Sequence, residues 1–145
     1  LIRSYDTEQL FRSTLIRWFG DKPEGISSSL SAVCATWLGS TDQRGYADAY
    51  SVFASDAGLP EETISALGMP AYFVTGNEDK NSIPVMSKQL ASLVSDSWCS
   101  IVDNAGHMLQ LTHATELNEY LLAFVKHVAS VKNSDSESIK GKVKT

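Results

Sequence analysis

Asp79 and His107 are the residues whose types and spacing best fit chemistry. A carboxylate beside an imidazole fixes the ring's tautomer and stabilises the imidazolium formed when the ring takes a proton from a nucleophile. The two stand 28 positions apart, which leaves room for one helix and one strand between two loops. Singly, neither is informative. A loop aspartate is ordinarily a turn or cap residue, and a loop histidine is ordinarily hydrogen-bonded at the surface. Glu78 is the rival acid. Hydroxyl nucleophiles are harder to find: Gly25-Ile26-Ser27-Ser28-Ser29 lacks the last glycine of a Gly-x-Ser-x-Gly elbow and sits in helical sequence rather than after a strand. Those serines are expected to cap a helix. Cys34 and Cys99 lie far apart, with no CxxC spacing or His-rich neighbourhood, so they are read as buried core residues and no metal site is expected. His113 precedes the last helix and His127 lies late in it, where a cation suits the dipole, and both are read as structural.

The elements that must hold this pair change character midway. Asp6 with Gln9 signals a helix start, and Leu10, Phe11, Leu15, Trp18 and Phe19 follow on one face until Gly20. Leu30, Val33, Cys34, Trp37 and Leu38 form a second stripe that Gly39 should end. A third helix, capped near Thr41 or Asp42, carries Tyr46, Ala49, Tyr50 and Phe53, and a short one follows from Pro60 to Leu67. Then the period shifts. The apolar run 71–75 reads as a strand covered on both faces, 85–94 as a helix, 98–102 as a second strand and 114–128 as the last helix. Residues 131–145 hold few apolar side chains and are expected to form a mobile tail. Strand-helix alternation implies parallel strands, and two such strands leave unpaired edges, so partner strands are expected outside this chain. In open parallel sheets the ligand crevice lies beyond the carboxyl ends of the strands, where the loops bearing Asp79 and His107 begin.

These runs resemble a known family. Gly68-Met69-Pro70-Ala71-Tyr72-Phe73-Val74-Thr75-Gly76-Asn77-Glu78-Asp79, with Ile83-Pro84 after it, is similar to the α/β-hydrolase segment in which a Pro-led strand ends in Gly-x-x-Asp. Ile101-Val102-Asp103-Asn104-Ala105-Gly106-His107-Met108-Leu109 resembles that family's last strand and its Gly-His. The resemblance implies that Asp79 is the triad acid and His107 the base, in the chain order expected of the fold. It also implies an α/β architecture: a helical cap over 1–67, then strand-helix-strand-helix of a parallel sheet over 68–130, the C-terminal portion of an α/β-hydrolase. The N-terminal portion, with the nucleophile elbow and oxyanion-hole loop, is absent from this sequence, so this chain alone is expected to be inactive. Arg17-Trp18-Phe19 and Gly45-Tyr46 are similar to the enol-lactonase-like branch, and Trp18 and Met108 are the expected substrate contacts. Trp37, Tyr46 and Tyr50 are expected to pack the cap. Thr112 and Ala114 depart from the Glu and Pro that many relatives place before the last helix.

The implied function is hydrolysis of a small carboxylic ester or lactone, with no cofactor and with the N-terminal part of the same hydrolase as partner. Three alternatives stand beside it. One is a dehalogenase or epoxide-hydrolase type with an Asp nucleophile; another is a non-catalytic binding protein of the same fold. A nucleotide-binding domain is disfavoured, because no glycine-rich phosphate loop joins strand to helix. A composition of 43% apolar and 20% charged residues indicates a globular chain, while a net charge of −5 argues against nucleic acid or an anionic membrane surface. No apolar run reaches membrane-spanning length and no signal-like segment opens the chain, so a cytoplasmic location is the default expectation.

Overall fold

The computed structural model describes residues 7–142, so the cap expected at Asp6 lies outside the described residues. The chain divides into two compact units, Leu1–Thr112 and His113–Thr145.

The first unit opens with four helices, α1 (Thr7–Phe19), α2 (Gly25–Ser40), α3 (Gln43–Ser55) and α4 (Glu61–Ser65). α1 ends where sequence predicts, with the Gly20 N–H returning to the Ile16 carbonyl at 2.9 Å. α2 differs from expectation at both ends. Glu24 is its N-cap and makes no side-chain cap bond, which places Ser27–Ser29 inside the first turns; Gly39 lies within the helix, and Thr41 is the C-cap. The inward stripe of α2 follows Cys34 and Leu38, one helical turn apart, while Val33 and Trp37 fall on its flank and are exposed. In α3 the Asp42 carboxylate accepts the Gly45 N–H at 2.7 Å, the cap the sequence indicated. Ala47 is the buried residue of that helix, with Tyr46 and Tyr50 half-buried beside it and Phe53 exposed.

The sheet follows: β1 (Ala71–Gly76), α5 (Pro84–Leu93) and β2 (Ser97–Val102). β1 and β2 are parallel, registered from Ala71 opposite Ser97 to Gly76 opposite Val102, with α5 as the crossover. Pairing places the Tyr72 and Trp98 rings edge to face at 5.7 Å, and the Tyr72 hydroxyl lies 2.7 Å from Ser100 Oγ. Burial deepens toward the carboxyl ends, with Thr75, Val102 and Ala105 out of solvent. Cys99 alternates to the open face and is exposed, correcting its reading as a core residue, whereas Cys34 is buried. The short helix α6 (Leu109–Thr112) closes the unit.

The second unit is one helix, α7 (Ala114–Lys142). It continues through the segment expected to be a mobile tail. No proline interrupts residues 131–142, and lengthening an existing helix needs no new nucleus. Leu117, Phe124 and Val128 share its half-buried stripe, while Leu121 and Val125 fall on the flank and are exposed. Among the described residues no helix is long and apolar enough to cross a membrane.

Candidate active site

Both strands end at one place, and the loops that leave them are interlocked by backbone. The Asn77 N–H donates to the Val102 carbonyl at 2.8 Å and the Glu78 N–H to the Ala105 carbonyl at 3.0 Å. Gly76 is obligatory here, because a Cβ at that position would collide with the Ala105 backbone. A side-chain bond from Asn77 Nδ2 to Asp103 Oδ1, 3.2 Å, spans the same gap. In the second loop Asn104 adopts a left-handed φ of 56°, a conformation that asparagine tolerates better than most residues, and the chain then turns through Ala105 and Gly106 to His107.

The result brings Asp79 and His107 together. His107 Nδ1 lies 3.0 Å from Asp79 Oδ2 and 3.2 Å from Oδ1. The carboxylate side chain is 3% exposed and the imidazole 31%. Burial by itself would push the Asp79 carboxyl upward. The Ser82 N–H at 2.9 Å, the His107 ring, the Asn81 N–H at 2.7 Å and the charge of His107 outweigh it and hold the group below its ordinary value. The Thr75 hydroxyl ties the loop shut by donating to the Ser82 carbonyl at 2.7 Å; its 3.5 Å separation from Asp79 Oδ2 is too long to count as a second bond. Glu78, the rival acid, makes no contact of this kind with His107, although it lines the cavity beside the pair.

That cavity measures about 740 Å³, a size suited to a small organic ligand. Ile16, Trp18 and Phe19 of α1 form one wall, and Asp79, Ile83 and Pro84 form part of another. His107 adjoins it through two lining residues, being bonded to Asp79 and stacked against Trp18 with ring centroids 6.2 Å apart and planes at 30°. Gly106 also lines it, and a Cβ there would meet the Trp18 carbonyl at 2.8 Å, so the end of α1 rests directly on the loop that carries His107. Met108, expected to touch substrate, does not line the cavity; its carbonyl accepts the Leu111 and Thr112 N–H groups and its sulfur faces Gln110. Trp37, Tyr46 and Tyr50 are also absent from the walls. Tyr46 packs edge to face on Phe11 at 5.5 Å and tilts against Tyr50 at 4.7 Å. Its phenol is pushed up to about 12, chiefly by burial. Sequence reasoning missed Ser27 and Lys80 as cavity residues, since nothing in a serine run or a lone loop lysine marks them. Among the described residues no group of three or more His, Cys, Asp or Glu side chains is placed to hold a metal ion.

No protein-family model matches the chain. Over 112 residues it is 30% identical to the (E)-2-((N-methylformamido)methylene)succinate hydrolase of Acinetobacter baylyi, a match covering 77% of this chain and 42% of the relative. Its structure is similar to that of the enol-lactonase from Burkholderia xenovorans LB400, with a TM-score of 0.72 and 21% identity over 86% of this chain and 47% of that one. A bromoperoxidase from Bacillus anthracis gives the same TM-score at 20% identity, covering 86% of this chain and 45% of the other. The chain carries part of an α/β-hydrolase fold. It spans less than half the length of each of these proteins. Its helices and parallel strand pair are consistent with the C-terminal portion of that fold.

Proposed function

We propose that this portion of the hydrolase fold supplies the acid and the base of a Ser-His-Asp triad acting on a small carboxylic ester or lactone. The observation that carries the reading is the bond from Asp79 to His107 Nδ1. With Asp79 ionised, the shared hydrogen belongs on Nδ1, so Nε2 is left with a lone pair to take a proton from a nucleophile. A serine from an N-terminal part of the same hydrolase would then attack the carbonyl carbon. His107 would hold its proton and pass it to the departing alkoxide, and water, activated by the same ring, would release the acid and restore the serine. Trp18, over the imidazole, would shield that transfer from bulk water and offer a flat apolar surface to the substrate. No cofactor takes part in these steps.

The choice of ester or lactone draws on two names, since the relative in A. baylyi is a hydrolase and one structural neighbour is an enol-lactonase. The bromoperoxidase shares the fold equally well, so fold alone does not choose. The deciding experiment is labelling by a fluorophosphonate serine probe of the protein made from the complete coding sequence, with intact mass measured in parallel. One adduct, lost in His107→Ala and absent from these 145 residues alone, is the expected result. A folded protein that takes no probe while hydrolysing an alkyl halide or epoxide would point to an Asp nucleophile, and one that does neither to a binding protein.

A further inference from the structure

The two oxygens of the Asp79 carboxylate divide its work. Oδ1 accepts the Asn81 N–H at 2.7 Å and the Ser82 N–H at 2.9 Å, while Oδ2 stands nearer to His107 Nδ1, at 3.0 Å against 3.2 Å for Oδ1. The loop amides therefore set the plane of the carboxylate, and that plane decides where Oδ2 meets the ring. Ser82 is in turn held by Thr75. This threonine stands near the carboxyl end of β1 and is 2% exposed, so its hydroxyl must find its partner within the protein rather than in water. It has one hydrogen and two acceptors in range: the Ser82 carbonyl at 2.7 Å and Asp79 Oδ2 at 3.5 Å. The shorter contact takes the hydrogen.

That choice has two effects on the pair. Ser82 is fastened on both sides, its carbonyl to the strand and its N–H to Asp79, which closes residues 75–82 into a ring around the carboxylate. A hydroxyl turned toward Oδ2 would share the charge that the imidazole needs; spent on Ser82, it leaves Oδ2 to His107. We propose that Thr75 is a positioning residue of this site, aligning the Asp79 carboxylate with His107 by way of Ser82. Its effect on rate rests on the triad reading, whereas its effect on the alignment of the pair can be read without turnover.

The test uses protein from the complete coding sequence, with p-nitrophenyl acetate as the ester and the Nδ1–H resonance of His107 as the report on alignment. Thr75→Val keeps the shape of the side chain and removes the donor. It should lower kcat by about 10- to 100-fold with KM little changed, and move the resonance upfield. Thr75→Ser restores the donor and should retain most of the rate and the resonance position. Asp42→Ala, destabilised by loss of a helix cap on α3, controls for a merely structural role and should keep both. If Thr75→Val does not fold, Thr75→Cys, with a weaker donor, is read by the same criteria. A folded variant whose resonance stays in place overturns the proposal, whatever its rate. So does a loss that Thr75→Ser fails to restore, or one that Asp42→Ala shares. A resonance that moves in Thr75→Val and returns in Thr75→Ser, in a protein that cleaves no ester or lactone, supports the positioning role and overturns the ester reading alone.

Discussion

Asp79 is a carboxylate whose surroundings all favour its charge except burial. Replacing it with alanine strands the Asn81 and Ser82 N–H groups as well as the imidazole, and a loss of about 1–3 kcal/mol is expected in denaturant unfolding. Asp79→Asn keeps the shape but presents the wrong partner to His107, so in the proposed triad the rate should fall by about 10⁴-fold with little change in KM. Acid stability follows from the same group. A carboxyl held low in the folded state is worth its full contribution above the unfolded value of about 3.9 and loses it only as pH falls through the lower folded value. Thermal unfolding followed from neutral to acid pH should therefore show a fall in Tm in that acid range that is smaller in Asp79→Asn; identical slopes would contradict the assignment. Part of this was legible beforehand. Gly-x-x-Asp and Gly-His mark the pair by position in the chain, whereas Thr75 and Asn104, which set the loop and turn, are ordinary strand and turn residues until the fold places them.

The elements depend on two close approaches. A methyl group on Gly76 would push against the Ala105 backbone and part the two loops, so Gly76→Ala is expected to cost about 1–3 kcal/mol and weaken the Asp79–His107 bond. The downfield Nδ1–H resonance of His107 would report this directly, and a resonance unmoved from wild type would argue against the coupling. Helix ends offer a second comparison. Asp42→Ala removes a formed cap from α3 and should cost about 0.5–2 kcal/mol, whereas Glu24→Asp gives α2 the side-chain cap it lacks and should raise Tm. Periodicity found these helices but misjudged their faces. Trp37 and Phe53 satisfy an apolar stripe on paper, yet the contact that forms is narrower and follows small residues such as Cys34 and Ala47, whose volume admits a neighbouring helix. A spacing rule cannot see which part of a wide stripe finds a partner.

At the scale of the whole molecule, a strand pair with open edges coexists with large apolar side chains in solvent, among them Trp37, Val52, Phe53 and Leu59. Two parallel strands are below the number that is ordinarily stable unaided. The 145 residues produced alone should therefore bind a hydrophobic dye and self-associate in size-exclusion chromatography; a dye-silent monomer would show that these surfaces are tolerated. Sequence alternation foretold the parallel pairing of the two strands. It did not foretell the length of α7, because a polar segment that continues a helix has no signature of its own when nothing breaks it.

The stacking of Trp18 on His107 also equips the molecule with an internal optical reporter. An imidazolium quenches the emission of an indole held against it, while neutral imidazole does so far less. In a Trp37→Phe, Trp98→Phe background the fluorescence of Trp18 would track the charge of the ring beside it, in the absence of substrate and in real time. Stopped-flow mixing could then follow the arrival of a proton at His107 as a change in brightness.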